Sequence, residues 1–71
     1  MIRLETDKRY YLIELTQDLF DYWCVICTWG SKFSKAGNRK TYIADDEKSA
    51  QELIQQILKI REKHHYKIIE N

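Results

Sequence analysis

Proline is absent from this chain of 71 residues, and glycine and cysteine each occur only twice. Without proline, long regular elements are possible, and each of the two glycines marks a position with a special backbone requirement. Two cysteines are too few for a disulfide framework, and as free thiols they fit a reducing compartment. No apolar run approaches the roughly 18–20 residues that a membrane span needs. The opening Met1-Ile2-Arg3-Leu4-Glu5 lacks the apolar core of a signal peptide. The expected location is cytoplasmic, with no membrane partner. Acidic residues are missing from one stretch: residues 22–44 carry four Lys/Arg and no Asp/Glu, whereas residues 1–21 carry three and five, and residues 45–71 five and six. The net charge of +1 hides this purely cationic centre, which suits an anionic partner.

What is present argues for a folded globule. The hydrophobic fraction is 44%, with nine aromatic residues, which excludes disorder on composition. A chain of this length forms one domain over residues 1–71. Residues 9–16 alternate, with Tyr11, Ile13 and Leu15 on one face and Tyr10, Leu12 and Glu14 on the other, and read as a strand. Gln17-Asp18 begins a turn, after which Leu19 and Phe20 are expected to fold back onto the core. Residues 22–29 read as a second, central strand, apolar on both faces. A loop runs from Gly30 to Gly37, and residues 38–44 form a third strand. Asp45-Asp46-Glu47 starts a helix, since aspartate caps free amides and acids suit the positive helix end. Ala50, Leu53, Ile54, Ile57, Leu58 and Arg61 give its apolar stripe, widened by Ile60. Arg61, Lys63, His64 and His65 suit its negative end. Residues 66–69 add a short edge segment or lie against the sheet. Short connections favour antiparallel pairing. The fold class is therefore α+β: a small antiparallel sheet with one amphipathic helix on one face.

These residues match a known pattern. Arg9-Tyr10-Tyr11-Leu12-Ile13-Glu14-Leu15 is similar to the opening Lys-Tyr-Tyr strand of the WGR domain, a family named for its Trp-Gly-Arg motif. Trp29-Gly30 supplies the first two letters of that motif. Gly37-Asn38 resembles the Gly-Gln that closes the following loop, and Ala50, Ile54, Arg61 and Tyr66 resemble the helix pattern. The resemblance is strongest over residues 8–67. It departs at Ser31, where the motif has arginine, at Phe33, where a loop glycine is usual, and at His65, where glycine precedes the tyrosine. Such domains occur in poly(ADP-ribose) polymerases, where they hold a DNA end near a strand break, and in bacterial proteins without a catalytic domain. The resemblance implies a non-catalytic nucleic-acid-binding module, directed at DNA ends and their 5′-phosphates. Trp29 would pack on the terminal sugar. The amide near Gly30 and the loop cations Lys32, Lys35, Arg39 and Lys40, with help from Arg9, would meet phosphate, and Ser31, Gly37 and Asn38 would belong to the same nucleic-acid-binding surface.

The residues also admit other readings. Trp29-Gly30 is either this sugar platform or a core tryptophan followed by a turn glycine. The four cations are either a phosphate site or a solvated loop. If all four met duplex phosphates, log affinity would fall with log salt at a slope of about −3.6. Serine in place of a planar, permanently charged fork supports a second class of function: a protein-interaction module of a larger bacterial regulator that has lost DNA binding. Cys24-Val25-Ile26-Cys27 has C-x-x-C spacing, but on a strand that spacing sends the thiols to opposite faces. No metal ligands, no cofactor and no catalytic residues are assigned, because no nucleophile–base pair and no glycine-rich phosphate loop stands in the chain.

Overall fold

The computed structural model describes residues 1–70. Among these residues five strands form one antiparallel sheet: β1 (Ile2–Glu5), β2 (Arg9–Gln17), β3 (Trp23–Ser31), β4 (Gly37–Ala44) and β5 (Lys67–Glu70). Their order is β4-β3-β2-β1-β5. The helix α1 (Glu47–Lys63) follows β4 and lies across β3 and β4 on one face. The α+β expectation holds, with two strands more than the three read from the sequence. Ile2-Arg3-Leu4-Glu5 alternates at period two, but four residues carry little signal. Here β1 is held by pairing on both flanks, with β2 (Ile2↔Ile13, Leu4↔Tyr11) and with β5 (Leu4↔Ile68). The turn between β1 and β2 is closed by Thr6, whose hydroxyl accepts from the Arg9 amide at 3.0 Å. Residues 67–70 take the edge position beside β1.

Period-two alternation sets which residues share the helix face. From the sheet these are Leu4, Tyr11, Ile13, Val25 and Cys27, and from the helix Ala50, Ile54 and Ile57; Tyr66 completes the cluster. Cys24 is buried on the opposite face from Cys27. Ile60 does not extend the stripe. It stands 47% exposed, because one step from Arg61 turns it about 100° around the axis.

The turn between β2 and β3 corrects another expectation. Leu19 and Phe20 are 96% and 79% exposed and do not fold onto the core. Asp18 sets the turn: its carboxylate accepts from the amides of Phe20 (2.8 Å) and Tyr22 (3.0 Å), and Asp21 adopts a left-handed φ of 67°. Asx geometry of this kind fixes the backbone and leaves the two apolar side chains outside.

Both helix ends are chemically closed. Asp46 is the N-cap, and its carboxylate accepts from the Ser49 amide at 2.7 Å. At the C-terminus, the Tyr66 amide donates to the Arg61 carbonyl (3.1 Å) and the His65 amide to the Glu62 carbonyl (3.0 Å). That pair of bonds is a Schellman closure, which requires a left-handed residue between helix and exit. His65 takes it, with φ 69°.

Two outcomes follow from these caps. A side chain with a Cβ in left-handed backbone costs roughly 1–2 kcal/mol. His65→Gly is therefore expected to stabilise the domain by up to about 1 kcal/mol after the added chain entropy of glycine. Urea unfolding with a raised midpoint and unchanged slope would confirm it; a lowered midpoint would refute it. Ser49, through its backbone amide first and its side chain second, holds the Asp46 carboxyl below its ordinary range in the folded state. A depressed folded value means the stabilisation is complete above the ordinary carboxylate range and is lost as pH falls through the folded value. Asp46→Ala should thus lower the melting temperature at neutral pH, with the difference from the parent shrinking as the solution is acidified. A pH-independent difference would contradict the cap.

Candidate functional site

One aromatic ring joins β2, β3 and the helix end. Tyr11 stands opposite Trp29 across the β2–β3 pair, and their rings stack with centroids 5.7 Å apart and planes 14° from parallel. Arg61 places its guanidinium 4.9 Å from the Tyr11 ring centre and 5.6 Å from that of Tyr66. Tyr66 meets Tyr11 edge-on at 6.1 Å. The Schellman closure explains the last two contacts: it turns the chain so that Tyr66 returns over Arg61, the residue whose carbonyl it caps. Burial, together with the neighbouring Cys27 thiol, pushes the Tyr11 phenol well above its usual range. Burial likewise raises the Cys27 thiol. Both remain neutral, so the charge here comes from arginine.

Against this stack lies a cleft of about 360 Å³, lined by Arg9, Trp29, Gly30, Ser31, Asn38, Arg61 and Tyr66. It contains two guanidinium groups and no carboxylate among its lining residues. A second hollow of about 410 Å³ adjoins it, sharing Arg9, Arg61 and Tyr66 and adding Thr6, Asp7, Lys8 and His64. Among the described residues the buried Arg61 Nε has no hydrogen-bond partner, an unsatisfied donor of the kind that calls for an explanation.

The fold thus brings together Arg9, Trp29, Gly30, Ser31 and Asn38, and separates the remaining sequence-derived candidates. Lys32 is engaged elsewhere: its Nζ lies 2.7 Å from Glu5, which also accepts from Arg3 at 2.7 Å. Those two bonds hold the Glu5 carboxyl below the usual range, the Lys32 bond first. Lys35 is exposed in the loop between β3 and β4. Arg39 stands opposite Thr28 and faces away from the helix side. Lys40 shares the Trp29 face but sits over Tyr42, 5.0 Å from the ring centre. Arg61 and Tyr66 line the cleft although the sequence reading placed them only in the helix pattern. The signal available for them was the basic residue in the last turn followed at a fixed interval by tyrosine; that they meet Trp29 is a tertiary fact.

Gly30 is neither a turn glycine nor a left-handed one. It lies within β3, paired with Tyr10 on one side and with Gly37 on the other, and neither glycine has a positive φ. Their missing side chains make room for Tyr10 on the face away from the helix. A Cβ on Gly37 would stand 2.9 Å from the Tyr10 Oη, and one on Gly30 3.0 Å from it and 3.2 Å from the Ala36 carbonyl oxygen. Ser31 continues the strand opposite Arg9, and its hydroxyl accepts from the Phe33 amide at 3.1 Å.

The glycine trough has a measurable consequence. Gly37→Ala should destabilise the domain by on the order of 1 kcal/mol through overpacking. The cost should shrink when Tyr10→Phe removes the oxygen that the new methyl meets, a coupling visible in a double-mutant cycle. Equal costs in both backgrounds would show that Tyr10 is not the constraint.

Comparison with known proteins agrees with the geometry. The family model for the WGR domain matches residues 3–71. No curated protein and no solved structure matches the chain significantly. The matched span includes Trp29, Gly30 and Ser31, with Trp29 stacked on Tyr11. On this match, carried over almost the whole length, the chain belongs to the WGR domain family, whose members are generally nucleic-acid-binding modules rather than catalysts.

Proposed function

We propose that this domain binds DNA ends, with the Trp29 cleft taking the terminal nucleotide. The observation that carries the reading is the cleft itself: an indole braced from behind by Tyr11, flanked by Arg9, Arg61 and Asn38, with no acid among the lining residues. An indole held rigid by a stacked partner offers a sugar or base a flat apolar surface at little entropic cost. A volume of about 360 Å³ is that of a small-ligand pocket, which suits one terminal nucleotide better than a length of duplex. Lys35, Arg39 and Lys40 are exposed around the β4 edge and supply diffuse attraction for flanking phosphates. No covalent chemistry is involved: binding is stacking plus charge, reversible and weakened by salt.

The alternative, a protein-interaction module of a larger bacterial regulator, draws on Ser31 and on the apolar side chains outside the cleft. Leu19, Phe20 and Phe33 are all largely exposed. The two readings separate in one experiment. Fluorescence anisotropy with a labelled duplex bearing a recessed 5′-phosphorylated end should give salt-sensitive binding, and Trp29→Ala should weaken it by roughly tenfold or more, the scale of one lost stacking contact. Binding unchanged by Trp29→Ala would remove the cleft from the account, and salt-insensitive or absent binding would favour the protein-interaction reading.

A further inference from the structure

We infer that the end of the sheet opposite the Trp29 cleft is a second docking surface, an apolar knob of Leu19 and Phe20 that fits a basic protein partner. It stands independently of the nucleic-acid reading, since neither residue lines the cleft. Three observations carry it. The first is where the exposed apolar side chains gather. Among the described residues nine large hydrophobic side chains stand exposed, and Leu19, Phe20, Tyr22 and Ile43 are four of them. Strand register brings these four to one end. Gln17, Trp23 and Ala44 are paired in line across β2, β3 and β4, so the β2–β3 turn and the exit from β4 leave the sheet side by side. Ile43 stands opposite Cys24, just inside that edge. The cleft lies at the other end of the same strands, where Arg9 opens β2 and Ser31 closes β3. The nine residues of β2 separate the two ends by about 27 Å.

The second is rigidity. The turn that carries the knob is closed from both sides. The Asp18 carboxylate accepts from the Phe20 and Tyr22 amides. The Asp18 amide donates to the Tyr22 carbonyl (3.0 Å) and the Asp21 amide to the Asp18 carbonyl (3.1 Å). The Gln17 side-chain amide donates to the Asp21 carbonyl (3.3 Å). A backbone fixed in this way has little entropy left to lose when its side chains are buried by a partner. Isolated exposed hydrophobic side chains are ordinary; two adjacent ones on a fixed turn are a pre-organised anchor.

The third is charge, which selects the occupant. The same end carries Asp18, Asp21, Asp45, Asp46 and Glu47, all exposed, against the single cation Lys48. Carboxylates around an apolar knob favour a partner whose receiving pocket is rimmed by Lys and Arg, and they reject an acidic one. They also oppose a symmetric pairing of two copies through this end, which would bring like charges together. The occupant is therefore a protein surface with an apolar pocket and a basic rim, and the arginine-lined cleft is left free while it is bound.

The test is an NMR titration of the protein with three helical peptides. One carries Leu on one face and Lys elsewhere, one has Glu in place of every Lys, and one has Ser in place of every Leu. The Leu/Lys peptide should shift the amides of residues 18–22 and 44–47 saturably, and each of the other two should bind roughly tenfold or more weakly. Leu19→Ser/Phe20→Ser should weaken the Leu/Lys peptide by roughly tenfold or more. Both side chains are exposed and outside the cleft, so that variant should melt as the parent does and bind the recessed duplex equally well. Asp21→Asn/Asp45→Asn keeps the turn, since asparagine accepts a left-handed backbone, and should remove most of the salt sensitivity of peptide binding. Equal binding of the Leu/Glu peptide, or shifts centred on the cleft, would overturn the inference. So would self-association in sedimentation that Leu19→Ser/Phe20→Ser abolishes, which would give the knob to a second copy. Loss of duplex binding with the peptide response intact would remove the cleft reading and leave this surface standing.

Discussion

The ring of Tyr11 is the contact on which both the fold and the site depend. It stands in the core at 8% exposure, stacked on Trp29, covered by the Arg61 guanidinium and met edge-on by Tyr66. Each aromatic pair contributes about 0.5–1.5 kcal/mol beyond simple burial, and a desolvated cation over a ring about 2 kcal/mol. In so small a domain these terms are a large share of the net stability. The phenol is held neutral by its burial, so the stack keeps its character across the physiological pH range. The same contacts that join β2, β3 and the helix end also fix the indole and the guanidinium that line the cleft. Stability and ligand geometry are therefore one constraint.

The helix stop is the second part of that constraint. Without the Schellman turn at His65, Tyr66 would not return over Arg61, and the cleft would lose one wall. His65 accepts a left-handed backbone there, where a glycine would do so without a Cβ clash, and the structure carries that local cost to keep the exit angle. At the other end, Asp46 closes the helix start far from the cleft. The two caps set where the helix begins and ends, and hence which turn of it reaches Trp29.

Much of this was legible in the sequence. Alternation in residues 9–16, the apolar run 22–29, the segment 38–44 and the helix stripe from Ala50 to Arg61 located the three longest strands and the helix, because burial leaves a periodic record. What was not legible depended on contacts distant in sequence. The four residues of β1 carry alternation but are a strand because β2 and β5 flank them. Gly30 and Gly37 looked like turn punctuation, yet they are opposed within the sheet because Tyr10 needs their space. Lys32 looked like a free cation until β1 brought Glu5 beside it. Leu19 and Phe20 looked like core residues until the Asp18 turn directed them outward. Arg9, Trp29, Gly30, Ser31 and Asn38 line one cleft because strand pairing aligns them; that Arg61 and Tyr66 join them there was not legible, because only the packed helix brings them in.

The charge pattern is the clearest instance of sequence and space disagreeing. The stretch without acids, residues 22–44, suggested a cationic loop, but β-pairing puts Arg39 and Lys40 on opposite faces, Lys32 joins an ion pair with Glu5, and Lys35 alone stays in the loop. The cations that line the cleft come from outside that stretch. The measurement that tests the account most directly is an NMR titration of the protein with the 5′-phosphorylated recessed duplex, following the Trp29 indole N–H and the arginine Nε–H signals at 50 and then 200 mM salt. The account predicts that the Trp29 indole and the Arg9 Nε–H move together and that both shifts diminish at the higher salt. Shifts confined to Lys35, Arg39 and their loop, with the Trp29 indole and the Arg9 Nε–H unmoved, would contradict it.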